Sequence, residues 1–147
     1  MIEKVAKSTA KAKYRVNDQI GFLLRIAMQR HTSIFISQII KGLTQTQFAA
    51  MAKLREVGSC SQNHLGRLIY LDAATTKGVV DRLRFRGFVT TVQDERDRRR
   101  MAITLTDAGS RVADGAVKIG LHVTSLTLQP LTTSEQKTLI RLLKKIN

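Results

Sequence analysis

Between Phe88 and Leu105 the residue pattern of this chain changes period. Phe88-Val89-Thr90-Thr91-Val92 and Met101-Ala102-Ile103-Thr104-Leu105 are rich in β-branched residues, and the stretch between them, Gln93 to Arg100, is almost entirely charged. Two such runs around a charged turn read as one β-hairpin with a long basic tip. The rest of the chain reads with helical spacing, so the hairpin is a small β element in a mainly α protein.

Before the hairpin, a first amphipathic helix is expected from about Val16 to Ile40. At 100° per residue Ile20, Leu23, Leu24, Ala27, His31, Ile34, Phe35 and Gln38 share one face. Gly42 breaks it. Thr44-Gln45-Thr46-Gln47 then has the form of a capping box, with Thr44 as cap and Gln47 reaching back. That helix closes at Gly58-Ser59. Ser61 can cap a short helix, Gln62 to Ile69, and Asp72 can cap another, Ala73 to Arg86, stopped by a left-handed Gly87.

After the hairpin, Thr106 opens a helix in which Val112, Ala116, Ile119, Val123 and Leu126 recur at spacings of four and three, a seam for packing against other helices. Gly109, Gly115 and Gly120 within it permit close backbone approach. Pro130 ends the segment. Thr132-Thr133-Ser134-Glu135 is a second capping box, opening a last amphipathic helix with Leu139, Ile140, Leu142, Leu143 and Ile146. Three helices and a hairpin with a basic tip make a winged helix-turn-helix lobe over residues 41–106. The flanking helices, 1–40 and 107–147, are too apolar to stand alone, and their expected use is a two-fold dimer.

Charge narrows the function. The chain of 147 residues carries 25 Lys and Arg against 11 Asp and Glu, a formal net charge of +14. A surplus of that size points to a polyanion, most often nucleic acid. It is spread along the chain: seven basic against two acidic residues in 1–40, twelve against six in 41–106, six against three in 107–147. No apolar run approaches a membrane span, and the N-terminus lacks the apolar stretch of a secretory signal. One cysteine, Cys60, excludes a disulfide framework, and with three scattered histidines no metal site is expected. A reducing cytoplasm is the expected setting, with no cofactor.

Four stretches, in order, resemble one known family. Leu43-Thr44-Gln45-Thr46-Gln47-Phe48 is similar to its LTxxQ(F/W) opening. The run from Asp72 to Val89 is similar to its recognition helix with the GLV exit. Asp94-Glu95-Arg96-Asp97-Arg98-Arg99 is similar to its DxRDxR wing, and Leu105-Thr106-Asp107-Ala108-Gly109 to the LTxxG that follows. The resemblance is to the MarR family of bacterial transcriptional regulators and covers nearly the whole chain. It implies homodimers that bind palindromic double-stranded DNA, usually repress, and often let go when a small phenolic or aromatic acid binds. Gln29-Arg30-His31, Ser61-Gln62-Asn63 and Asp72-Ala73-Ala74-Thr75 resemble the branch that represses nicotinate catabolism, which implies a hydroxylated pyridine carboxylate as effector.

The residues themselves suggest the division of labour. Thr76, Val79, Val80 and Leu83 form the inward face of the Ala73–Arg86 helix, while Ala74, Thr75, Lys77, Gly78 and Asp81 project outward. Small Ala74 and Gly78 admit the backbone to the groove floor, Thr75 can touch a base edge, Lys77 can donate to guanine, and Arg82 meets phosphate. Arg96, Arg98 and Arg99 at the hairpin tip reach phosphates or a narrow minor groove, and Asp97 is expected to hold an arginine in place by a charge-assisted hydrogen bond. Ser61, Gln62 and Asn63 offer donors for a phosphate. His31, at the centre of an apolar stripe, is either a satisfied structural histidine or the contact for an aromatic carboxylate, with Arg25 and Arg30 flanking it. Cys60 is read as a small packed residue rather than a redox sensor.

Two other classes compete with an effector-responsive DNA-binding dimer. A general nucleic-acid binder would need more stacking surface than 5% aromatic residues provide. An enzyme would be expected to show a GxSxG, phosphate-loop or HExxH motif, and none is present.

Overall fold

The computed structural model describes residues 13–39 and 42–147. After a 3-10 turn at Val16–Asp18 come α1 (Ile20–Gln38), α2 (Gln45–Val57), α3 (Gln62–Leu68), α4 (Ala73–Phe85), the hairpin β1 (Val89–Gln93) and β2 (Met101–Leu105), α5 (Asp107–Leu128) and α6 (Thr133–Ile146). The fold is mainly helical with a winged helix-turn-helix lobe. The expected first helix starts four residues late, because the chain enters through the 3-10 turn and an extended Gln19. Its expected C-terminal residue, Ile40, lies outside the described residues, as do Lys41 and residues 1–12.

Local chemistry sets the helix starts. Thr44 Oγ1 accepts the Gln47 amide at 3.1 Å while Gln47 Oε1 accepts the Thr44 amide at 3.3 Å. Thr132 and Glu135 make the same reciprocal pair at the head of α6. Two orphan amides are satisfied at each start. Gly87 ends the α4 turn at φ +78°, a conformation that is free for glycine and costly for other residues.

The hairpin is antiparallel, with Val89 opposite Leu105 and Gln93 opposite Met101. Its inner edge carries an addition that sequence did not suggest: Cys60 pairs with Ile103 through both backbone hydrogen bonds, at 3.2 and 2.7 Å. That bridge fastens the start of α3 to the wing.

The core lies inside the lobe. Ala50, Met51 and Leu54 of α2 meet Leu65 of α3, Val79, Val80 and Leu83 of α4, Val89 and Ile103 of the hairpin, and Ala113 and Ala116 of α5. The α5 seam packs against other helices, as its spacing predicts. The seam on α5 has a partner within its own chain: α5 packs along α1 and α2, and Gly120 lets the Phe48 ring come within contact of the α5 backbone. Periodicity shows that a seam exists but not which helix fills it. Uncovered apolar side chains stand along α1, at Ile20, Leu23, Leu24 and Ile36, and on α6, at Leu139, Ile140, Leu142 and Ile146, where no residue is buried; others stand singly, among them Leu121 on α5 and Phe85 at the end of α4. No helix among the described residues is long and apolar enough to cross a membrane.

Candidate nucleic-acid interface

The turn between α3 and α4 closes in a Schellman pattern. The Leu71 amide reaches Gly66 O at 3.0 Å and the Tyr70 amide reaches Arg67 O at 3.4 Å. The left-handed position is filled by Tyr70, at φ +57°, with its side chain 90% exposed. Glycine would be cheaper there by about 1–2 kcal/mol. Gly66, with no side chain, lets Thr76 of α4 pack directly on α3, which fixes the crossing of the two helices.

Inward and outward faces of α4 follow the sequence reading. Thr76, Val79, Val80 and Leu83 are buried, Ala74, Thr75 and Lys77 are exposed, and Gly78 and Asp81, also expected outward, are half-buried; Arg82 is exposed. Asp72 caps the helix by accepting the Thr75 amide at 2.7 Å and the Thr75 hydroxyl at 2.9 Å. These donors hold its carboxyl below the ordinary aspartate range. The Thr75 hydroxyl proton is therefore taken by the cap, and its methyl group and oxygen lone pairs stay exposed.

Lys77 is not a free cation. Its Nζ donates to Asp81 Oδ2 at 2.7 Å, and Arg84 donates to Asp81 Oδ1 at 3.0 Å. Lys77 and Arg84 together hold the Asp81 carboxyl below its ordinary range. Arg82, Arg96, Arg98 and Arg99, by contrast, have no carboxylate within ion-pair distance among the described residues.

The wing tip is shaped by its acids. Asp94 accepts the Arg96 amide at 2.8 Å and Asp97 accepts the Arg99 amide at 3.0 Å. The expected arginine clamp at Asp97 is not formed: its other oxygen lies 3.8 Å from Arg100, ion-pair distance but beyond hydrogen-bond reach. Asp97 organises the turn backbone instead and leaves the three named arginines to solvent.

A groove of about 950 Å³ separates α3 from the wing, with Cys60, His64, Arg67, Arg96 and Arg100 among its lining residues. Ser61, Gln62 and Asn63 line an adjoining hollow with Arg67, Arg100 and Met101. Arg67, His64 and Arg100 were not singled out from sequence. The hairpin register, which brings Arg100 over α3, is the missing signal. Burial pushes the Cys60 thiol up, away from the thiolate a reactive cysteine needs. Ser61 is occupied as the α3 cap, accepting the His64 amide at 3.1 Å.

Of the three residues expected around an effector, His31 and Arg30 meet the same turn of α5 and Arg25 stands apart. His31, half-buried, lies with Nδ1 2.8 Å from Thr127 Oγ1 near the end of α5. Arg30 donates to the Thr127 and Leu126 carbonyls at 2.6 and 3.0 Å, where a cation offsets the negative end of a helix. Arg25 stacks over Phe22, 5.2 Å from the ring centre, away from that junction.

Comparison with known proteins agrees with this geometry. The MarR family model matches residues 43–101. The repressor NicR of Pseudomonas putida is 35% identical over 150 residues, covering 99% of this chain and 95% of its own. A crystal structure from Pseudomonas aeruginosa superposes with a TM-score of 0.85 at 44% identity, over 90% of this chain and all of that one. BpsR of Bordetella bronchiseptica, solved to explain regulation of its DNA binding by 6-hydroxynicotinic acid, superposes at 0.84 with 34% identity, over 90% and 96%. With the capped helix pair, the basic wing and a relative matched nearly end to end, the chain belongs to the MarR family of transcriptional regulators.

Proposed function

We propose that two copies of this chain pair through α1 and α6 and bind a palindromic duplex, repressing transcription until a small aromatic or heteroaromatic carboxylate binds beside His31. The observation that carries the reading is the set of arginines exposed on α4 and the wing, together with the uncovered apolar side chains of α1 and α6. Arg82, Arg96, Arg98 and Arg99 stand without acidic partners on the α4 and wing side, while apolar side chains stand without cover on α1 and α6. Unpaired arginines suit phosphates, and uncovered apolar faces at opposite ends of one chain suit an isologous interface. Residues 1–40 and 107–147 then serve dimerisation and 41–106 serve DNA.

In this reading α4 enters the major groove, Ala74, Thr75, Lys77 and Gly78 meet base edges, and Ser61, Gln62, Asn63 and Arg82 hold the backbone. The wing arginines follow the adjacent minor groove or its phosphates. His31 keeps one ring nitrogen on Thr127 and offers the other to the effector. Because α5 carries that junction at one end and packs into the lobe at the other, a ligand that prefers one setting of α1 on α5 also selects one spacing of the two α4 helices. The likeness to NicR and BpsR supports a hydroxylated pyridine carboxylate as that ligand.

The test is selection of duplexes from a randomised pool, followed by competition with 6-hydroxynicotinic acid. A palindromic consensus released by the acid supports the reading. Equal affinity for all sequences would make the chain a general nucleic-acid binder.

A further inference from the structure

Asp81 stands in the middle of the α4 surface presented to DNA and holds two cations at once. Lys77 Nζ is on Oδ2 at 2.7 Å and Arg84 on Oδ1 at 3.0 Å, and the second terminal nitrogen of Arg84 donates to Thr91 Oγ1 on β1 at 2.8 Å. The carboxylate is thus tethered from the wing side whether or not Lys77 stays with it. A carboxylate fixed at this place is unfavourable for a surface that only has to attract phosphates.

The four unpaired arginines can meet any duplex without first giving up a partner. Lys77 gives up its carboxylate partner whenever it turns to an acceptor on DNA, a small cost for an exposed pair, and Asp81 is then left facing the DNA. Over a phosphate, that exposed carboxylate is repelled. Over a G·C pair both halves are satisfied: guanine O6 and N7 accept from the ammonium, and cytosine N4 donates to the carboxylate.

We propose that Asp81 is a specificity-determining residue, which together with Lys77 reads one G·C pair per half-site and penalises binding to DNA of arbitrary sequence. The inference rests on the DNA-binding reading above. Discrimination here comes as much from what the pair repels as from what it attracts.

The test uses the full chain, a duplex selected by the wild-type protein from a randomised pool, its single-base-pair variants and one unrelated duplex. Asp81→Asn should bind the unrelated duplex more tightly, with a salt slope steeper by about 0.9 for each freed cation. Its ratio of selected to unrelated affinity should fall roughly tenfold, the scale of one base-edge contact. The loss should concentrate at one base pair per half-site. Thr91→Val, which removes the wing-side tether of Arg84 and leaves its pair with Asp81 in place, should move the ratio the same way by less. In a Lys77→Ala background, Asp81→Asn should change the ratio little further.

An unchanged ratio on a well-selected site overturns the role of Asp81 and leaves the DNA reading intact. So does equal loss at every position together with a lowered melting temperature, which marks a structural role, or the same effect with and without Lys77. If the wild-type chain selects no sequence at all, the DNA reading and the inference fall together.

Discussion

His31 and Thr127 are 96 residues apart in sequence and share a 2.8 Å hydrogen bond between Nδ1 and Oγ1, half-buried where α1 crosses the end of α5. The adjacent Arg30 grips the carbonyls of the same turn. His31→Ala should therefore keep the fold, because Arg30 still ties the helices, and keep operator affinity, while blunting the response to an aromatic acid. In the wild type the effector should weaken operator binding by about 5–150-fold, and DNA should weaken effector binding by the same factor. Titrating acid against a preformed complex checks both. A wild-type response in the mutant would move the pocket away from His31.

Arg98 and Lys77 should fail in different ways. Arg98→Ala should weaken binding to every duplex alike and lower the salt slope by about 0.9 for each phosphate that it no longer neutralises. Lys77→Ala should change the order of preference among operator variants with less effect on slope. Fluorescence anisotropy at several salt concentrations separates them. Identical behaviour would remove the division between backbone and base recognition.

A charge on α6 should break the dimer without unfolding the chain. Leu142 is 44% exposed in the single chain, so Leu142→Glu leaves the lobe core untouched and desolvates a carboxylate only if a second copy covers it. Sedimentation should show a helical monomer. Ile119, which belongs to the α5 seam, is the contrasting site. There a charge should lower stability as well.

Two glycines of α5 should answer differently to alanine. A Cβ at Gly109 would run into the backbone carbonyl of Phe88, which already accepts the Thr106 amide, so the hairpin exit must move. The expected loss is about 3 kcal/mol or more. At Gly120 the obstacle is the far end of the Phe48 ring, 2.7 Å away. That ring can tilt, and the better helix propensity of alanine, about 1 kcal/mol, offsets part of the strain. Denaturant titration of both variants gives the comparison.

Acid should weaken the helix starts. Asp72 is held below the ordinary carboxyl range first by the Thr75 amide, and Glu135 by the Thr132 amide. The unfolded chain therefore takes up these protons at a higher pH than the folded one. Their contribution is complete above the ordinary range, near about 4, and is lost as pH falls through the depressed folded values. Thermal melts should be flat from neutral pH to about 5 and fall below about 4. Asp72→Asn, which keeps an acceptor that does not titrate, should shallow that fall.

Local signals were legible and distant partners were not. Both capping boxes, the Asp72 and Thr106 caps, the Gly87 stop and the existence of the hairpin are decided within a few residues, and each was readable from residue type; the hairpin register was not. The Cys60–Ile103 bridge, the packing of the α5 seam on α1 and α2, and the engagement of Arg30 with α5 depend on residues tens of positions away. For the site, the sequence pointed to the cations of α4 and the wing tip but not to Arg67 or Arg100, nor to the partners of any of them. Lys77 and Arg82 look alike in one dimension, and only the structure shows that the first is held by an acid and the second is not.

The placement of Ala113 and Ala116 in the lobe core, on the same helix that ends at His31's partner, bears on how this protein can be cut or recombined. A fragment spanning only residues 41–106 would expose the floor of its own core, so the smallest piece that folds should be larger than the piece proposed to bind DNA. Grafting this reading head onto another dimer should succeed only when the donor's α5 travels with it as far as Ala116.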